Sequence, residues 1–237
     1  MPHPTTLRCL VLSFCASAAA VGQPTGTLLV LNKADDTAQF IAQPSGETVA
    51  TVATGNGPHE AAVSPDGRWA VAANYEDRTA NTLTVYDAHA MEPVRTIDLG
   101  EWRAPHGLAF VGDSAVLAVT CEGSAQLLLV DVEGGTVEAR IGTDARGSHM
   151  VAVTPDGARA FVANIPDGTV SAIDLAERKL LGVIPTGPGA EGIDVTPDGR
   201  EVWVTNRAAD SITVIDTETL EEIETVMCAG FPIRCKA

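Results

Sequence analysis

The stretch PHEAAVSPDGRWAVAAN, from Pro58 to Asn74, decides the fold. It sets two short apolar runs around Ser-Pro-Asp-Gly, a tight-turn sequence in which glycine accepts positive φ. The same design returns as SHMVAVTPDGARAFVAN from Ser148 to Asn164 and as AEGIDVTPDGREVWVTN from Ala190 to Asn206. A looser copy, PHGLAFVGDSAVLAVTC, occupies Pro105 to Cys121. Four copies at a near-fixed period are a repeat architecture.

Working outward, each copy ends in one slot, held by Asn74, Cys121, Asn164 and Asn206. A second apolar segment then closes on an aspartate: Asp87, Asp131, Asp174 and Asp216, in LTVYD, LLLVD, VSAID and ITVID. A further apolar segment follows each. Every unit therefore holds four short strands with turn residues between them and no helical period. For one unit the pattern predicts strands at Ala61–Ser64, Trp69–Ala73, Leu83–Tyr86 and Val94–Asp98. The repeating Asn and Asp residues read as turn formers, and Trp69, Phe161 and Trp203 as packing residues. Four-stranded units at this period read as the blades of an all-β propeller. The blades span approximately 26–55, 56–100, 104–142, 147–185 and 189–227, with the start of another at 230–237. The first of them lacks a first strand.

The chain resembles the YVTN-repeat β-propeller family on Val71-Ala72-Ala73-Asn74, Phe161-Val162-Ala163-Asn164 and Trp203-Val204-Thr205-Asn206, together with its TPDG turns and VIDT strand. The resemblance covers residues 26–237 and speaks to fold more than to activity. It implies a piece of a longer, typically seven-bladed propeller. The alternative is a closed five-bladed ring in which 233–237 pairs beside Thr27–Asn32.

The chain carries 15 basic and 31 acidic residues among 237, a net charge of −16. Such a surface disfavours the phosphate backbone of nucleic acids. The opening MPHPTTLRCLVLSFCASAAAVGQ has one early basic residue, an apolar run and small residues near its end. Residues 1–22 thus read as a secretory signal peptide and imply a periplasmic or secreted protein, with no later segment suited to a membrane span. Beyond that segment Cys121, Cys228 and Cys235 remain, an odd set that makes no disulfide framework. No bridge is expected between Cys228 and Cys235. No C-x-x-C-H, G-x-S-x-G, H-E-x-x-H or P-loop motif is present.

One slot, just inside each copy, carries the chemistry. It holds His59, His106, His149 and Glu191 at successive spacings of 47, 43 and 42, and Ile233 in the last unit, another 42 on. By likeness to propellers generally, the first strand of a blade is innermost, so this slot forms a ring at the channel mouth. Three imidazoles and a carboxylate there are candidate ligands for a zinc- or copper-class ion. A Pro-His pair entering a strand serves equally well to satisfy an inter-blade turn. On the same face, Lys33, Tyr75, Glu122, Ile165 and Arg207 follow the Asn slot and differ from blade to blade, and Cys121 fills that slot itself. Of these, Lys33, Tyr75, Cys121, Glu122 and Arg207 are the candidate ligand contacts. The loop after Asn74 is three residues longer than its counterparts, 13 residues to its Asp slot against 10 elsewhere.

Three function classes follow. The leading one is a secreted binding module for a small molecule or protein on the top face, with a metal at the histidine ring. The second is a propeller enzyme of lactonase or metal-dependent redox type, using the same four residues. The third is a surface interaction scaffold.

Overall fold

A computed structural model describes residues 25–237; the expected signal segment lies outside the described residues. The first sheet has three strands, β1 (Gly26–Asn32), β2 (Thr37–Gln43) and β3 (Thr48–Ala53). Four four-stranded antiparallel sheets follow, each running from the inner to the outer strand in chain order. They are β4 (Pro58–Val63), β5 (Trp69–Asn74), β6 (Thr82–Asp87) and β7 (Glu92–Asp98); β8 (Pro105–Phe110), β9 (Val116–Cys121), β10 (Gln126–Asp131) and β11 (Thr136–Gly142); β12 (Ser148–Val153), β13 (Arg159–Asn164), β14 (Thr169–Asp174) and β15 (Lys179–Pro185); and β16 (Ala190–Val195), β17 (Glu201–Asn206), β18 (Ser211–Asp216) and β19 (Glu222–Met227). These are propeller blades, and sheet pairing stays within each unit, as the repeat predicts. A 3-10 turn at Glu76–Arg78 is the one helical element among the described residues.

The strands run longer than the apolar runs suggest. In the second blade the ladder begins at Pro58 instead of Ala61 and closes on Asn74 and Asp87. The Asn slot is therefore structural in a stronger sense than a turn. Asn74, Asn164 and Asn206 are buried and stitch a hairpin together. Asn206 Nδ2 donates to Thr213 Oγ1 at 2.8 Å, and its Oδ1 accepts the Gly187 amide at 3.0 Å. The Asp slot does serve turns: Asp87 Oδ1 accepts the amides of His89 and Ala90 at 2.9 and 2.8 Å. In the Pro-Asp-Gly turns Gly67, Gly157 and Gly199 take φ of 71°, 71° and 75°, where a side chain would be strained.

Packing between blades explains why the second strands are nearly all apolar. A blade covered on both faces needs no polar alternation, and every residue of β5 is buried. Separate apolar clusters join the first and second blades (Phe40 with Tyr86), the second and third (Trp69, Leu117, Leu128), the third and fourth (Leu127, Val162) and the fourth and fifth (Phe161, Val204). Trp203 is only partly buried and donates from Nε1 to Glu201 Oε2 at 2.9 Å.

After β19 no further strand forms. Residues 231–237 run beside β16: the Ala237 amide donates to Asp194 Oδ2 at 2.9 Å, and Cys235 Sγ reaches Trp203 O at 3.2 Å. Among the described residues no ladder joins them to β1, so the pairing required for the closed five-bladed alternative is absent. Cys121, Cys228 and Cys235 are free thiols.

Candidate metal centre at the channel mouth

The inner strands position the site through one repeated irregularity. In each complete blade the register slips by one residue at the start of the first strand. Pro58 faces Asn74 while Ala61 faces Ala72, and the same slip recurs after Pro105, Ser148 and Ala190. Two consecutive residues then oppose one, a β-bulge, which re-aims side chains that a regular strand would send to opposite faces. The bulge pairs are His59-Glu60, His106-Gly107, His149-Met150 and Glu191-Gly192. Glycine at the second place lets neighbouring inner strands close up. A Cβ on Gly107 would stand 2.8 Å from Met150 Cα, and one on Gly192 would stand 2.8 Å from Arg234 Cα.

The ring residues do converge. The His59 and His106 ring centroids are 4.5 Å apart, and those of His106 and His149 are 3.7 Å apart. His149 Nε2 lies 3.6 Å from Glu191 Oε1. His106, His149 and Glu191 are buried, while His59 stands at the rim. The imidazole Nδ1 atoms of His106 and His149 are buried without a hydrogen-bond partner. Burial, reinforced by the neighbouring His149 and His59, pushes the His106 pKa down to about 2. Burial, with Arg234 next, pushes that of His149 down to about 4. Both rings are therefore neutral near pH 7, the form in which imidazole ligates a metal.

The tightest donor cluster differs from the four-residue ring. Ligating atoms of His59, Glu60 and His106 all lie within 4.8 Å of one another. Glu60 escapes a reading from sequence, because period-two alternation places it opposite His59; only the bulge brings both to one side. The available signal is chemical: among the residues in its slot, Glu60, Gly107, Met150, Gly192 and Arg234, it is the one carboxylate.

Guanidinium groups close the site. Arg207 binds Glu191 and Arg234 Nη2 binds Glu60 Oε1 at 2.7 Å, with Arg234 Nη1 also 3.8 Å from Glu191 Oε1. Burial works against ionisation of Glu60, but the nearby His59 imidazole and the charge of Arg234 outweigh it and hold the carboxyl below its usual pKa. On the other side, the Tyr75 hydroxyl donates to buried Glu122, whose second oxygen is 3.2 Å from Arg78 Nη2. Burial and that carboxylate raise the Tyr75 pKa, so the phenol keeps its proton. The Tyr75 ring stands 5.2 Å from His59 and 5.4 Å from His106, with Lys33 Nζ 5.2 Å from its centroid.

Lys33 and Glu122 thus stand against Tyr75 beside the histidines, and Arg207 against Glu191. The longer loop leans across toward the third blade through Arg78. Cys121 is the exception. It packs in the apolar cluster with Trp69 and Leu128, and burial raises its thiol pKa to about 12. Its side chain is core, not a top-face contact, because the Asn slot points between the strands. A groove of about 440 Å³ lies beside Lys33, lined also by Asn56, Gly57, Glu76 and Asp77.

A family model described as a YNCE-like beta-propeller matches residues 104–233. Among solved structures, a functionally unknown protein from Desulfotomaculum acetoxidans DSM 771 superposes with a TM-score of 0.72 at 17% identity, over 83% of this chain and 65% of that one. The chain thus spans less than two thirds of that relative's length. Hydrazine synthase from Kuenenia stuttgartiensis superposes with a TM-score of 0.65 at 17% identity, over 88% of this chain and 85% of that one. At such identities these likenesses speak to fold alone. No curated protein matches the chain.

Proposed function

The chain belongs to the YNCE-like β-propeller family, and we propose that it is an exported binding module whose channel mouth holds a zinc- or copper-class ion. The observation that carries this reading is the convergence of His59, Glu60 and His106 donor atoms within 4.8 Å. The partnerless Nδ1 of buried His106 adds to it, since a buried polar nitrogen left unpaired is costly unless something binds it. Two imidazoles and one carboxylate are a donor set for divalent transition metals. Three protein donors leave a coordination position for an outside ligand, so the ion would act as a Lewis acid toward a small molecule arriving at the top face. Tyr75, Glu122, Lys33 and Arg207 would orient that molecule. The leader-like residues 1–22 support export, and the acidic surface supports cation binding over nucleic acid.

The test is a calorimetric titration of the purified, chelator-treated protein with Zn(II) and with Cu(II). One ion per chain is expected, with affinity falling roughly tenfold or more in His59→Ala and in His106→Ala. Sub-stoichiometric uptake, or equal binding by both variants, would remove the metal from this reading.

A further inference from the structure

We infer that Arg234 is a built-in cation that competes with the metal ion for Glu60, so that the segment 231–237 sets the metal affinity of the channel mouth. This rests on the metal reading above. The repeat supplies the placement: Ile233 takes the ring slot and Arg234 the slot of Glu60, one bulge place further on. Equivalent slots in two units thus carry opposite charges, and they meet across the mouth. Arg234 Nη2 is 2.7 Å from Glu60 Oε1, the same oxygen that lies 3.7 Å from His59 Nδ1. An ion taking that oxygen together with His59 must share it with a guanidinium or displace it.

The segment is held in place by several contacts, so Arg234 is not an arm that happens to lie nearby. The Phe231 amide donates to Asp210 Oδ1 at 2.8 Å, and the Arg207 guanidinium sits 5.5 Å from the Phe231 ring centroid. Lys236 Nζ is 2.9 Å from Asp194 Oδ2, which also takes the Ala237 amide. Gly192 permits the approach, since a Cβ there would meet the Ile233 carbonyl and the Arg234 Cα. The Phe231–Asp210 bond matches that of Gly57, whose amide donates to Asp36 Oδ1 at 2.7 Å as it enters β4. The contact is therefore part of the repeat geometry.

Electrostatics gives the direction. A single positive charge within a few ångströms of a divalent ion opposes binding by about tenfold even at high effective dielectric, and salt weakens the effect. Replacing Arg234 frees Glu60 for the ion and removes that repulsion together.

The experiment titrates Zn(II) into the full chain and its variants, in competition with a chromophoric chelator. Arg234→Gln is expected to bind about tenfold more tightly than the unsubstituted chain. Arg234→Lys, which keeps the charge, should stay within about twofold of it. Gly192→Ala, which displaces the segment without removing a charge, should move in the same direction as Arg234→Gln. If Arg234→Gln binds no more tightly while His106→Ala loses the ion, the inference falls and the metal site stands. If no variant takes up the ion, the metal reading falls and the inference goes with it.

Discussion

The buried carboxamides of Asn74 and Asn206 show how one residue joins three pieces of chain, whereas Asn164 uses only Nδ2, toward Thr169 and Ser171, and leaves its Oδ1 buried without a partner. Asn206 Nδ2 reaches Ser211 and Thr213 on the next strand at 3.2 and 2.8 Å, while Oδ1 holds the Gly187 amide in the segment entering the blade from its predecessor. Asn74 repeats the pattern with Thr82, Thr84 and the Gly55 amide. Removing such a side chain leaves a buried amide and hydroxyls without partners, which costs more than the lost bonds alone. Asn206→Ala is expected to destabilise the protein by about 2–3 kcal/mol, read as a lower urea midpoint at unchanged slope. A shift under 0.5 kcal/mol would mean that water or neighbouring side chains replace the carboxamide. Cys121 occupies the same slot without a carboxamide and is accommodated by apolar packing instead.

Turns and bulges act at the scale of the element. In the three Pro-Asp-Gly turns the aspartate is held by the hydroxyl two residues earlier: Ser64 to Asp66 at 2.5 Å, Thr154 to Asp156 at 2.6 Å and Thr196 to Asp198 at 2.7 Å. Those hydroxyls, followed by the amides of Arg68, Ala158 and Arg200, lower each carboxyl below its ordinary 3.8. A folded-state pKa below the unfolded value gives stability that is present above the unfolded pKa and lost as pH falls through the folded one. The urea midpoint should therefore hold above about pH 4 and drop as pH falls below the ordinary 3.8. The triple variant Asp66→Asn, Asp156→Asn, Asp198→Asn should show a shallower drop over that window; an equally steep one would assign acid sensitivity to other carboxylates. The bulges do the complementary work on the inner strands. They turn His59 and Glu60 to the same side, whereas the turns only fix where each strand begins.

Over the whole molecule, cover is unequal. The second strands β5, β9, β13 and β17 lie between other strands of their own sheets and beneath neighbouring blades. By contrast, β19 is exposed along its entire length, and among the described residues β1 pairs with no strand on its inner edge. Local opening follows burial and hydrogen bonding. Hydrogen exchange read by mass spectrometry should find the four second strands slowest and β1 and β19 fastest. Uniform protection across all five sheets would contradict this gradient and point to an added contact over β1 or β19 in solution. No helix among the described residues is long and apolar enough to cross a membrane.

The repeat by itself determined the antiparallel blade units and the order of strands within a blade, and it set His59, His106, His149 and Glu191 in one equivalent slot. It could do so because equal slots in equal units must occupy equivalent positions, and turn chemistry at Pro-Asp-Gly and at the Asp slot is local. Tertiary structure alone decided three things. The bulge recruited Glu60, since a register slip depends on how two strands pair and leaves no mark in the alternation of side chains. Cys121 went into the core because the depth of its slot depends on the neighbouring blade that covers it. Arg234 came to Glu60 from 174 residues away, a contact that exists only because the inner strands curve round one axis. Period and turn chemistry are properties of neighbours along the chain; the charge balance of the channel mouth belongs to residues that meet only once the blades are assembled.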